Sequence, residues 1–520
     1  MFQQSVADIP TSIPMTTTPE NGAVAVSRTE SVSARFGEDM MVTSIDADSL
    51  TLSANGRAVA GAVQFDAQTN TLSFASGDRL PSSATVVATV DGTVANLDGD
   101  LLGSDFRWSF TTESASWGQA TALESGSGSV AELQLAANAR GDSVAVWVQD
   151  QQVFASRFEA ATGHWSGQER VAANAGRGAS PQVAVDPEGN VVAVWINGSD
   201  ARIYARRFNA GVGSWGSAVG IGNPNGEGRY PQVAMDSAGN AVAVWQQSEG
   251  SALNIYASRL AAGRTVWTGV ERIDAHTDES HRPQIAMDAS GNAVVAWRQR
   301  VSVFGNLNTY RVFANRMEAG TWQGQIAVGT GANSVGVPRV AVNSEGQAFA
   351  VWRQNDGGTQ NIYASHAGDF GSWSGAEQIG TAGTSVTQPD VATDGRGNVF
   401  VVWRQYGSNG STVQVNRFSV AWQGAIALHS SLESADLPRI AANSNGDAFV
   451  VWSQRDGSEF FTEARPFVAS GGSWGKAARL SGASSMPFVP GISMSAAGDA
   501  VAVWIEAIDS RGDLFTSRYY

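Results

Sequence analysis

Residues 181–222, PQVAVDPEGNVVAVWINGSDARIYARRFNAGVGSWGSAVGIG, decide the fold. In the opening strand Gln182 and Ala184 alternate with Val183 and Val185, the period-two pattern that sends successive side chains to opposite faces of a sheet. Asp186, Gly189 and Asn190 then supply a tight hairpin, with the aspartate capping backbone N–H groups and the glycine taking a positive φ. A second strand, VVAVW, a third, IYARRF, and a fourth that opens on SWGSA follow at hairpin spacing. The segment therefore predicts four short antiparallel strands and three connections.

The same unit recurs. Trp147, Trp195, Trp245, Trp297, Trp352, Trp403, Trp452 and Trp504 close the Ala-Val-Trp phrase or its variants, roughly 50 residues apart, a period typical of propeller blades. A second set, Trp117, Trp165, Trp215, Trp267, Trp322, Trp373, Trp422 and Trp474, opens the fourth strands. The position of Ala184 is held by Ala136, Ala234, Ala286, Ala341, Ala392 and Ala441, with Ser493 in the last unit. Only small side chains fit where strands crowd an axis, so the first strand is expected innermost. The expectation is an eight-bladed β-propeller of four-stranded blades, in which a strand near Trp117 joins the blade that ends at Tyr520 and closes the ring. Closure hides sheet edges that an open stack exposes.

Residues 9–112 follow another pattern, about seven short strands punctuated by Gly, Asn and Asp turns, as in a small β-sandwich. Pro19-Glu20-Asn21-Gly22, Phe36-Gly37-Glu38-Asp39-Met40, Val59-Ala60-Gly61, Asn96-Leu97-Asp98-Gly99 and the closing Trp108-Ser109-Phe110-Thr111-Thr112 mark it. The segment resembles the bacterial Ig-like domain of surface-layer proteins. That resemblance implies an exported spacer and no catalysis. The expected organisation is a flexible terminus over residues 1–8, the sandwich over 9–112 and the propeller over 113–520, all-β throughout.

Composition bounds the function. The 520 residues are 42% hydrophobic, enough to bury sizeable cores, and 58 glycines against 15 prolines suit many tight turns. A formal charge of −15 opposes nucleic acid and anionic membrane surfaces at long range. Cysteine is absent, which removes disulfides, thiol catalysis and Cys-ligated zinc. No apolar run reaches the length of a transmembrane segment, and residues 1–10 lack the basic and apolar regions of a signal peptide, so an export signal is expected outside this chain.

Repetition sets how conspicuous residues are read, because a residue present in eight copies is first a structural solution. Two positions after each Ala-Val-Trp tryptophan stand Gln149, Asn197, Gln247, Gln299, Gln354, Gln405, Gln454 and Glu506, read as side chains that satisfy loop backbone. Third strands carry Arg157, Arg207, Arg259, Arg316, Arg417, Arg465 and Arg518, expected to pair with loop aspartates such as Asp150 and Asp200. Trp165, Trp215, Trp373 and Trp474 begin peripheral strands, where an indole can either pack over the blade edge or stack on a sugar ring.

Departures from the repeat are where a unique site belongs. Arg298, Arg353 and Arg404 follow three successive tryptophans, with Tyr406 nearby, a cationic patch suited to a carboxylate ligand. The loop DAHTDESHRP offers Asp274, His276, Asp278 and His281 as metal donors without a recognised spacing, and no other cofactor is implied. Sialidases also use an arginine cluster on a propeller, but their Asp-box sets Asp and Trp five apart, whereas Asp186 and Trp195 do not match that spacing. Bacterial β-propeller lectins resemble the repeat in strand order and in Trp165-Ser166-Gly167 and Trp373-Ser374-Gly375, while their remaining residues differ. The expected function is a non-catalytic extracellular or cell-surface binding protein, lectin- or adhesin-like, displaying repeated sites for a glycan or surface polymer. A sialidase-like glycosidase and a scaffold for envelope proteins are the alternatives.

Overall fold

The structure, a computed structural model, describes residues 13–520 apart from 78, 177, 251, 276–277, 304–305, 330–333, 369–371, 382–384, 409, 430–433, 483–486 and 509–510. Residues 1–8, read above as a flexible terminus, and His276 therefore lie outside the described residues. The chain divides into two compact units, one ending at Ser116 and the other spanning Trp117–Tyr519. Among the described residues no helix is long and apolar enough to cross a membrane.

The first unit is a sandwich of two four-stranded sheets. One orders Met15–Thr18, Val32–Phe36, Thr71–Ser76 and Gly61–Asp66; the other orders Arg57–Ala58, Leu50–Ala54, Thr85–Val90 and Phe106–Thr111. That makes eight strands rather than about seven. Alternation explains the packing: Val32, Ala34 and Phe36 on one strand and Leu50, Leu52 and Ala54 on another turn inward, where they meet Leu72, Val86, Trp108 and Phe110 in a single core.

Among the described residues the second unit holds eight antiparallel sheets; seven are built from consecutive strands in sequence order, and the eighth takes its last strand from the start of the unit. Their first strands are Val130–Ala137, Gln182–Val185, Gly228–Met235, Ser280–Met287, Arg339–Val342, Val386–Thr393, Ser434–Ala442 and Pro487–Met494. Each first strand packs against the first strand of the next sheet, and the eighth also packs against the first. Ala136 and its equivalents lie on these strands, which accounts for the small side chains selected there.

Second strands are buried on both faces and read as apolar runs, such as Ala241–Glu249. The Ala-Val-Trp tryptophans are at most 2% exposed and each anchors a core shared with the preceding sheet. Trp195 packs on Val144, Val146 and Val148, Trp245 on Val192 and Val194, and Trp147 on Val501, Val503 and Leu514 of the eighth sheet. Truncating an indole so buried typically costs about 3–5 kcal/mol. The eight shared cores are what hold neighbouring sheets together.

Two local features differ from the sequence reading. In the first, second, fourth and seventh sheets the fourth strand is broken into two short pieces, as in His164–Trp165 and Glu169–Ala172, both paired to Gln152–Glu159. Gly167 between them has φ +81°, which bends the chain out of the ladder; a peripheral strand bonded on one side only tolerates the break. The strand near Trp117 likewise comes in pieces. Trp117 bridges Tyr519, and Thr121–Ala122 pairs with Phe515 and Thr516, so residues 117–123 supply the fourth strand of the eighth sheet.

Candidate functional site

Six of the eight first strands enter their sheets through a bulge. The ladder register shifts between Arg229 and Gln232, His281 and Gln284, Thr387 and Asp390, and at the equivalent points of three more sheets. The bulged residue adopts a left-handed φ of +46° to +57° although none is glycine: Glu132, Tyr230, Arg282, Gln388, Leu437 and Val489; Ser180, ahead of the unbulged strand Gln182–Val185, has φ +45°. Such a backbone costs roughly 1–2 kcal/mol per residue. A bulge re-aims side chains, and the residues that follow it form one register set.

That set lies directly opposite the residue before each Ala-Val-Trp tryptophan. Gln134 faces Val146, Gln182 faces Val194, Gln232 faces Val244 and Gln284 faces Ala296. Arg339, Asp390, Arg439 and Gly491 hold the same register in the remaining four sheets. Glutamine thus occupies the first four sheets, and charge is confined to the next three. The sequence contains this signal, two positions before each conserved small residue, but the reading above passed over it.

A cavity of about 390 Å³ opens between these strands. Its lining includes Gln134, Gln182, Gln232, Gln284, Ser180, Tyr230, Thr387 and Gln388, with Arg282, Arg339 and Arg353; among the described residues no carboxylate lines it. Gln134, Gln182 and Gln232 make no side-chain hydrogen bond to the protein among the described residues, and all three are half-buried. Their amides each keep two donors and an acceptor free for whatever enters.

The arginines are held at different strengths. Arg339 Nη1 donates to Gln284 Oε1 at 2.7 Å, and its Nε lies 3.9 Å from Asp390 Oδ1. Burial, reinforced by Arg439, pushes the Arg339 pKa below its ordinary value, with Asp390 opposing. Arg282 Nη2 donates to the Tyr230 hydroxyl at 3.2 Å, its guanidinium 4.4 Å from that ring's centre. Arg353 Nη1 donates to Gln360 Oε1 at 3.1 Å. Behind them Arg298 lies over the Tyr310 ring at 4.9 Å. Burial first, then Arg282 and to a lesser degree Arg353, lower its pKa, so the three cations are near neighbours.

The arginine trio expected from sequence is therefore divided. Arg353 lines the cavity and Arg298 sits next to it, whereas Arg404 is paired with Asp436 at 2.8 Å and stacked over Tyr406 at 4.3 Å. The structure adds Arg282, Arg339 and Tyr230, which the sequence reading did not single out.

Other candidates lie elsewhere. Trp165 packs on Phe158 (5.4 Å between centres), Trp215 on Phe208 (5.6 Å) and Trp474 on Phe467 (5.3 Å), while the Arg316 guanidinium covers Trp373 at 5.7 Å. All four indoles are half-buried and none lines the cavity. Arg157 pairs with Glu169 at 2.6 Å, where a loop aspartate was expected, and covers Phe208 of the next sheet at 3.8 Å. Arg417 and Arg518 likewise cover Phe467 and Phe158. In the candidate metal loop Asp274 is buried and accepts from Arg272 at 2.8 Å, and His281 stacks edge-on against Tyr310. Asp278 is half-buried, and no group of three metal-ligating side chains occurs among the described residues.

Residues 9–112 match the family model of the bacterial Ig-like domain. No curated protein matches the sequence. Among solved structures, an ulvan lyase described as a new family of polysaccharide lyase is similar at 11% identity and a TM-score of 0.48, over 64% of this chain and 92% of its own. The polysaccharide lyase Uly1 aligns at 11% identity and 0.44, over 67% and 91%, and a Hadza microbial sialidase at 12% and 0.36, over 97% and 95%.

Proposed function

We propose that Trp117–Tyr519 is a closed propeller of eight blades, and that the chain is an extracellular bacterial binding protein that takes a saccharide in the cavity between its inner strands. The shared cores that run from each sheet to the next, and from the eighth back to the first, support the closed reading. The Ig-like segment supports export. The observation that carries the binding reading is the set of unspent amides on Gln134, Gln182 and Gln232 around a cavity of about 390 Å³. Amides paired with Tyr230 suit vicinal hydroxyls, since each can donate and accept at once.

Binding is favoured over glycosidase chemistry because the cavity lining offers, among the described residues, no carboxylate to act as acid, base or nucleophile. It is also favoured over eight equivalent sites, because repeated tryptophans such as Trp165 are taken up by packing within their own sheets and third-strand arginines such as Arg157 and Arg518 by contacts with the next sheet. A glycan array followed by calorimetry tests the reading. One saccharide is expected to bind per chain, and Gln182→Leu with Gln232→Leu is expected to weaken it about tenfold or more, two lost hydrogen bonds at about 1 kcal/mol each. Absence of binding across the array, or a stoichiometry near eight, overturns it.

A further inference from the structure

The cavity is chemically lopsided. Glutamines reach it from the first four sheets and, as Gln388, from the sixth, whereas its cations arise only in the fourth and fifth, so the guanidinium groups are confined to one part of a wall otherwise lined by neutral side chains. Concentrating positive charge on one wall has a cost, which the lowering of the Arg298 pKa by Arg282 and Arg353, after burial, records. It occurs in a chain of net charge −15, where carboxylates are available to neutralise it. They do so at the neighbouring sheet: Arg404 has Asp436, and Arg339 has Asp390.

Arg282 and Arg353 are left with neutral partners, a phenol and an amide, each using one of the five N–H donors of a guanidinium. Arg353 is half-buried and Arg282 is exposed, and a guanidinium with a neutral partner is stabilised most by an anion that can take two parallel N–H bonds. Resting on the saccharide reading above, we propose that the ligand is acidic, with a carboxylate or sulfate ester seated against Arg282 and Arg353 and its hydroxyls on Gln134, Gln182 and Gln232. The cavity is near the lower end of small-molecule pockets, about 300–1,000 Å³, so it receives a chain end rather than a length of polymer.

The test compares an oligogalacturonate with its carboxyl-reduced, neutral counterpart, a sulfated neutral oligosaccharide and sodium sulfate, by calorimetry on the full chain. At least one acidic oligosaccharide is expected to bind about tenfold or more tightly than the neutral form, the effect of a charge-assisted bond. Arg353→Gln should bring the ratio of acidic to neutral affinity towards one, and Arg353→Lys should restore part of it. Gln232→Leu should weaken acidic and neutral sugars alike. The carboxylate and sulfate arms distinguish which anion is taken.

Equal affinity for acidic and neutral sugars, or a preference untouched by Arg353→Gln and Arg282→Gln, overturns the acidic assignment and leaves saccharide binding standing. Sulfate that raises the thermal midpoint of the unsubstituted chain but not of Arg353→Gln, with no sugar bound, retains the anion site and overturns the saccharide reading. If neither sugars nor sulfate bind, both fall. Circular dichroism on each variant separates loss of binding from loss of fold, and the comparison between ligands needs no variant at all.

Discussion

The Trp245 indole N–H donates to Gln247 Oε1 at 2.8 Å, and Gln247 Nε2 donates to the carbonyls of Asn223 (2.9 Å) and Gly226 (3.3 Å). The same indole-to-amide bond recurs at Trp352 (3.0 Å), Trp403 (3.0 Å) and Trp452 (2.8 Å), and to a carboxylate at Trp504 (2.6 Å). One side chain thus satisfies a buried donor and ties a loop to the strand. Gln247→Leu leaves that donor and two carbonyls without a partner and should cost about 2–4 kcal/mol, read from urea denaturation; a change under about 0.5 kcal/mol counts against it. The sequence revealed the loop tie but not the indole, although residues two apart on a strand share a face. Tyr256 offers a second check at this scale. Burial, then its 2.6 Å bond to Glu249, raises its pKa to about 12 from an ordinary 10. Its folded value lies above its unfolded one, so its contribution is complete below pH ~10 and is lost as pH rises towards ~12. Ultraviolet titration should show a late component at pH ~12, and Tyr256→Phe should abolish it.

At the scale of elements, the two ends of the Trp117–Tyr519 unit meet in one sheet. Leu123 is buried among Val130, Leu133 and Leu514, and its N–H donates to the Leu514 carbonyl at 2.8 Å. Leu123→Ala should lower stability by about 2–5 kcal/mol and speed amide exchange along Arg511–Tyr519; exchange confined to residues near 123 argues that the pairing adds little. This join was legible because the tryptophan spacing left a fourth strand without its partners at one end and three strands without a fourth at the other. The bulges were not legible. Tyr230, Arg282 and Gln388 each precede a proline, where the chain is expected to be extended, yet they sit at φ +52°, +53° and +57°. The following proline recurs at Ser180, Leu437 and Val489 as well, so the position is marked in the sequence while the left-handed φ is opposite to what that mark ordinarily means. The consequence reaches the site: without the bulge the register after it slips by one, and the glutamines turn from the cavity to the opposite face. That is why repetition exposed the sheets while the cavity's membership, including Arg282 and Arg339, stayed hidden.

At the scale of the whole molecule, net charge and site charge have opposite signs. The chain carries −15 formally, and the cavity wall carries Arg282, Arg339 and Arg353, of which only Arg339 has a carboxylate, Asp390, beside it among the described residues. The two fields act over different distances. Repulsion between a distant acidic saccharide and the net-negative surface is long-range and is screened once the Debye length shrinks from ~30 Å at 0.01 M salt to ~8 Å at 0.15 M. Attraction inside the half-buried cavity acts through hydrogen-bonded contacts and is screened much less. The association rate for an acidic oligosaccharide should therefore rise between ~0.01 M and ~0.15 M salt, the reverse of ordinary electrostatic steering, while dissociation accelerates only modestly. The neutral counterpart should show neither change. Biolayer interferometry across that salt range reads both rates. An association rate that falls with salt means that the cavity's local potential dominates the approach, and a salt response shared by the neutral sugar means that the arginines are not what the ligand meets.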